Sequence, residues 1–61
     1  MNSLQIVRKN KGLSQIDLAK KIGVKSNTIC QYESGKRNPN IHILKKLAKA
    51  LDCKIDDLID K

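Results

Sequence analysis

Residues 14–35, SQIDLAKKIGVKSNTICQYESG, constrain this chain more than any other stretch. Leu18, Ala19 and Ile22 share one face of a first short helix, and Ile29 and Tyr32 share one face of a second. Gly23 stands between them. A glycine just past the last apolar residue of a helix is the usual left-handed cap, because a side chain clashes in that backbone region. The spacing therefore predicts two short helices joined by a tight turn. Ala19, four residues before the glycine, is small enough to let the second helix cross closely, with Val24 and Ile29 filling the angle between them.

The remainder of the chain has room only to support that unit. Sixty-one residues make one domain with a modest core, whose stability is expected to be roughly 3–5 kcal/mol. Phe and Trp are absent and Tyr32 is the only aromatic residue, so the core must be built from Leu, Ile, Val and Ala. The net charge of +7 is unevenly placed: residues 1–37 carry eight Lys or Arg against two acids (+6), and residues 38–61 carry five against four (+1). A compact domain with a basic front attracts polyanions, nucleic acid first and an anionic membrane surface second, while a solvated lysine-rich surface is the plainer account of the same composition.

Several classes are disfavoured. No apolar run approaches the ~20 residues that span a bilayer, and the N-terminus lacks the apolar region of a signal peptide, so a cytosolic protein without a membrane partner is expected. Cys30, His42 and Cys53 lack the short paired spacings of a zinc site, and the acids after residue 51 are not interleaved as a calcium loop requires. No nucleophile has a base and orienting group near it, and no glycine-rich phosphate loop is present, so neither an enzyme nor a cofactor or small-molecule ligand is expected. Both thiols are expected to be reduced.

Along the chain, Asn2 or Ser3 is expected to cap a helix over about residues 3–10, with Leu4 and Val7 inward and Gly12 ending it. Ser14 with Asp17 reads as a capping box for the next helix. The following helix begins near Lys25 or Ser26 and ends at a Gly35 cap. Asn40 caps a helix whose apolar stripe reads Ile41, Leu44, Leu47, Ala48 and Leu51, with Ile43 as the apolar outlier and Lys45, Lys46 and Lys49 in solvent. Cys53 falls on a small apolar position. Ile55, Leu58 and Ile59 close the chain in a short helix or turn, with Asp56, Asp57 and Asp60 on its polar side.

The ordered set Ser14-Gln15, Leu18-Ala19, Ile22-Gly23-Val24, Thr28-Ile29, Tyr32-Glu33-x-Gly35-Lys36 and Pro39 resembles the Cro/cI-type, lambda-repressor-like (XRE-type) helix-turn-helix domain. The resemblance covers nearly the whole chain. It implies an all-α fold, a compact four-to-five-helix lambda-repressor-like DNA-binding domain, formed by residues 1–61 as one unit. It implies a transcriptional regulator, expected to repress by binding a near-palindromic double-stranded operator as a homodimer. It also pairs Arg8 with Glu33 and assigns Gln15 to a DNA phosphate at a helix N-terminus, where the dipole favours an anion. The loop Lys36, Arg37 and Asn38 is placed along the DNA backbone, where arginine's planar fork suits phosphate oxygens. Serine or threonine normally stands where this chain has Lys25, and glycine where it has Asp52, a residue that enters the left-handed region more readily than most.

With Ile29 and Tyr32 inward, the outer side of the third helix offers Ser26, Asn27, Cys30 and Gln31, with Lys25 at its start. Asn27 and Gln31, four apart, are expected to read bases, since an amide matches the N7 acceptor and N6 donor of adenine in the major groove. Lys25 reaches either guanine or a phosphate, and Ser26 joins the base-contacting set. Thr28 is assigned to the DNA backbone or local packing. Ile16 either covers the first helix or lies exposed beside the DNA. The homodimer contact is assigned to Ile55, Leu58 and Ile59. The rival reading is a protein-binding adaptor or antitoxin-like module with weak DNA binding. The polar outer face of residues 25–31 favours DNA over it.

Overall fold

The computed structural model describes residues 2–59. It contains four α-helices, α1 (Asn2–Asn10), α2 (Gln15–Ile22), α3 (Ser26–Ser34) and α4 (Ile41–Ala50), followed by a single 3-10 turn (Ile55–Asp57). There is no strand among the described residues. None of these helices is long and apolar enough to cross a membrane.

Each boundary has a local cause. α1 begins at Asn2, so Asn2 and Ser3 lie inside the helix and are not its cap; the cap position falls outside the described residues. Ser14 Oγ accepts from the Asp17 N–H at 3.0 Å, and Asp17 Oδ2 accepts from the Ser14 N–H at 3.1 Å, closing the capping box at the start of α2. α2 ends at Gly23, whose φ of 76° is left-handed, and the next N–H, that of Val24, returns to the Ala19 carbonyl at 3.0 Å. A Cβ built on Gly23 would meet nothing within 4 Å, so backbone conformation, not crowding, is what demands glycine there. α4 is capped by Asn40, whose Oδ1 accepts from the Ile43 N–H at 2.9 Å. At its far end Asp52 takes φ 52°, and the Asp52 and Cys53 N–H groups bond back to Lys49 and Ala48. An aspartate here does the work that glycine does for α2 and α3.

The core lies where these helices meet. α2 packs on both α3 and α4, α1 packs on α3, and the 3-10 turn closes against α4 and α1. Leu4, Leu18, Ala19, Ile22, Ile29, Tyr32, Leu47, Ala48, Leu51 and Leu58 are buried, with Val7, Val24, Ile43 and Cys53 against them at the margin. Burial, with the neighbouring Asp57 carboxylate second, pushes the Cys53 thiol up, which favours its protonated form. Cys30 is exposed, and both cysteines are free.

Two expectations about apolar residues are corrected. On α4, Ile41 is 51% exposed whereas Ile43 packs on the core. Ile41 is the first residue of the helix, while Ile43 shares a face with Leu47 and Ala50. At the C-terminus, Leu58 is fully buried in the core of its own chain and cannot belong to a dimer contact. The 3-10 turn, held by the Lys54 N–H to Asp57 Oδ2 bond at 3.1 Å, rotates Leu58 inward. Ile55 is half-buried against the core and Ile59 remains 45% exposed. Asp60 lies outside the described residues.

Leu58→Ala should therefore cost about 2–5 kcal/mol, comparable with the whole stability of so small a domain, and abolish a cooperative thermal transition. Ile59→Ala should change stability by no more than about 0.5 kcal/mol. Equal melting temperatures for the two variants would contradict this packing.

Acid stability follows from the capping box. The bond from the Ser14 N–H is the largest influence on Asp17 and holds its carboxyl below the usual carboxylate range. A group depressed in the folded state stabilises above its unfolded pKa and loses that contribution as pH falls through the folded value. Below about pH 4, the wild-type melting temperature should fall more steeply than that of Asp17→Asn.

Candidate nucleic-acid interface

The surface formed by α3 and the segments at its two ends is organised from beneath by one buried ion pair. Arg8 on α1 is 6% exposed. Its Nε donates to Glu33 Oε2 at 2.6 Å and its Nη2 to Glu33 Oε1 at 3.1 Å, a two-pronged contact to the penultimate residue of α3. Its Nη1 donates to the Leu13 carbonyl at 2.8 Å, tying in the α1–α2 connection. α1, the α1–α2 connection and α3 are thus fixed around one guanidinium.

Gln15, in the first turn of α2, also reaches this cluster: its Nε2 donates to Glu33 Oε1 at 3.0 Å. No sequence pattern signals this bond, because Gln15 and Glu33 are eighteen residues apart and each has a more obvious partner. The bond engages one of the two amide hydrogens and leaves the second for another acceptor. Glu33 therefore orients the side chain that the family resemblance aims at a phosphate.

α3 starts from Lys25, which takes an extended backbone conformation in the cap position but supplies no side-chain cap bond. Ser26 is the first helical residue and not the cap. Lys25, Ser26, Asn27 and Cys30 are exposed, and Thr28 and Gln31 are half-buried. Asn27 and Gln31 sit one helical turn apart on the side away from Ile29 and Tyr32. Ile16 is 57% exposed beside Gln15, which excludes the reading in which it covers α1.

Beyond α3, Gly35 takes φ 82° and turns the chain. Lys36, Arg37 and Asn38 are all exposed, but the loop is not a free linker: the Arg37 N–H donates to the Gln31 carbonyl at 3.3 Å. The backbone of the basic loop is thereby fixed to the middle of the exposed helix. Lysine at one end, lysine and arginine at the other, and amides between them give a polar, positively charged strip.

A short exposed helix held across a second one by a left-handed glycine turn, with helices bracing both from behind, defines a helix-turn-helix domain. The chain belongs to the helix-turn-helix family of XRE type, a family of DNA-binding transcriptional regulators, which it matches over residues 4–58. It is 42% identical over 57 residues to an HTH-type transcriptional regulator of Methanocaldococcus jannaschii, covering 93% of this chain and 86% of that one. It is 44% identical over 52 residues to human endothelial differentiation-related factor 1, spanning 85% of this chain but only 35% of the human protein. Among solved structures, the restriction-modification controller protein C.AhdI from Aeromonas hydrophila superposes with a TM-score of 0.89 at 36% identity, over 95% of this chain and 84% of that one. The lambda-repressor-like architecture anticipated from the motif is thus the architecture observed.

Arg8→Ala should destabilise the domain by about 3–5 kcal/mol, since it strands a buried carboxylate. In a double-mutant cycle, Arg8→Met with Glu33→Leu should cost clearly less than the sum of the single changes. Additive losses by denaturant unfolding would show that the two side chains do not act as a pair.

Proposed function

We propose that this protein represses transcription by occupying a near-palindromic operator as a homodimer, with α3 of each copy in the major groove. The observation that carries this reading is the exposed polar strip of α3, flanked at both ends by cations and backed by a rigid glycine turn. Asn27 and Gln31 read base edges, joined by Ser26, and Lys25 adds a guanine or phosphate contact at the helix start. Gln15, Thr28, Lys36, Arg37 and Asn38 supply phosphate contacts, which fix register and give salt-sensitive affinity. Gln15 does so through the amide hydrogen that Glu33 leaves unused. Two such domains place their α3 helices about 34 Å apart, one turn of B-DNA. Of the C-terminal apolar residues, Ile59 is the exposed one left to the homodimer contact. The site of action is the cytosol, on DNA.

Selection of bound sequences from a random duplex pool tests this directly. An inverted repeat with half-sites one helical turn apart is expected, with affinity falling steeply as salt rises. Absence of any enriched sequence would shift the reading to a protein-binding adaptor. On the selected duplex, Gln31→Ala should lose about 1–3 kcal/mol of binding and lose little on random DNA. Equal losses on both would remove Gln31 from base reading. Arg37→Ala should weaken both duplexes alike and reduce the log–log salt slope by about 0.9, the value for one phosphate contact.

A further inference from the structure

Where α2 and α4 end side by side, four lysines surround an open trough of about 580 Å³. Lys20 and Lys21 come from the last turn of α2, and Lys46 and Lys49 from α4. Ile22 and Ala50 supply apolar surface between them, and no acidic residue lines the trough. We propose that this trough docks an acidic, partly apolar segment of a partner protein, at the same time as the protein holds DNA.

Lysines in the last turn of a helix complement its dipole, which accounts singly for Lys20, Lys21 and Lys49. It does not account for four lysines lining one hollow with no acidic residue among them, a concentration of positive charge that favours an anion from outside. The chemistry of the hollow selects among anions. Phosphate sites are usually built from backbone N–H groups at a helix N-terminus or in a nest of turns. Here two helices present their C-terminal, carbonyl ends, and the only cations are lysines on flexible stems. Those stems carry charge to the rim and leave apolar surface below. An extended segment with carboxylates along its edges and small apolar side chains beneath satisfies both levels.

The position argues against DNA as the occupant. The trough is walled by the ends of α2 and α4, and no residue of α3 lines it. It is also at the opposite end of α2 from Gln15, about 10 Å along the helix axis. None of the residues assigned to the duplex lines it.

The test is an amide-resolved NMR titration of the isotopically labelled full chain with a synthetic peptide alternating glutamate and leucine, repeated with a 20-base-pair duplex present. The expected result is shifts at residues 20–23 and 46–50 that are the same with and without duplex. Lys46→Gln with Lys49→Gln should weaken the peptide about three- to tenfold, leaving duplex affinity and its salt slope unchanged. Lys20→Gln with Lys21→Gln checks the opposite wall independently, and thermal melting confirms that both variants fold. Shifts at residues 25–37 that the duplex abolishes would mean that the peptide merely imitates DNA, and would overturn the proposal. So would duplex-induced shifts at 46–50 with a flattened salt slope in the variants, which would make the trough a phosphate surface. Absence of any shift would overturn it as well. The titration without duplex reads the trough whether or not the operator reading holds.

Discussion

The contact on which this structure depends is the guanidinium of Arg8 clasped by Glu33. A charge taken out of water must be paired and hydrogen-bonded or it opposes folding by several kcal/mol. Arg8 meets that demand through three donors: two reach Glu33 and one the Leu13 carbonyl. No buried side-chain nitrogen or oxygen among the described residues lacks a partner. An aliphatic core without Phe or Trp is non-directional and tolerates small slips between helices. A planar fork does not, so the pair sets the angle at which α1 meets α3. Gln15 extends the same cluster to the start of α2, and a single carboxylate comes to coordinate three helices.

That arrangement bears on how the exposed strip is held. α3 has nine residues, an uncapped start at Lys25 and neither an acid in its first turn nor a base in its last. Such a helix is marginal in isolation. Its geometry comes from Ile29 and Tyr32 beneath, from the glycine turns at both ends, and from Glu33 near its C-terminus. The outward residues are thereby relieved of structural duty, which is what a surface that must match a partner requires. Their polarity reflects that freedom, since Asn27 and Cys30 contribute nothing to the core.

Much of this was legible in the sequence, and for physical reasons. The caps at Ser14, Gly23, Gly35 and Asn40 are local, each decided within a few residues, and all four stand where the spacing put them. The left-handed Asp52 was legible from the residue type expected there. What failed was longer-ranged. Whether Ile41 or Ile43 faced inward depended on how α4 is turned against α2, and periodicity alone weighs a first-turn isoleucine like any other. Leu58 was misassigned because a 3-10 turn rotates side chains by a different step than an α-helix. The Gln15–Glu33 and Arg37–Gln31 bonds left no trace in any spacing; the second joins backbone groups, which every sequence possesses.

That second bond has an evolutionary consequence. The basic loop after α3 is fastened to residue 31 by a carbonyl, not by the glutamine amide. Any amino acid at 31 presents the same carbonyl, so exchange of this side chain leaves the loop where it is. On the proposed reading, in which residue 31 reads bases and the loop holds phosphates, preference for a target and grip on its backbone are separately heritable. A lineage built on this scaffold would then drift from one recognition sequence to another without passing through forms that have lost their hold.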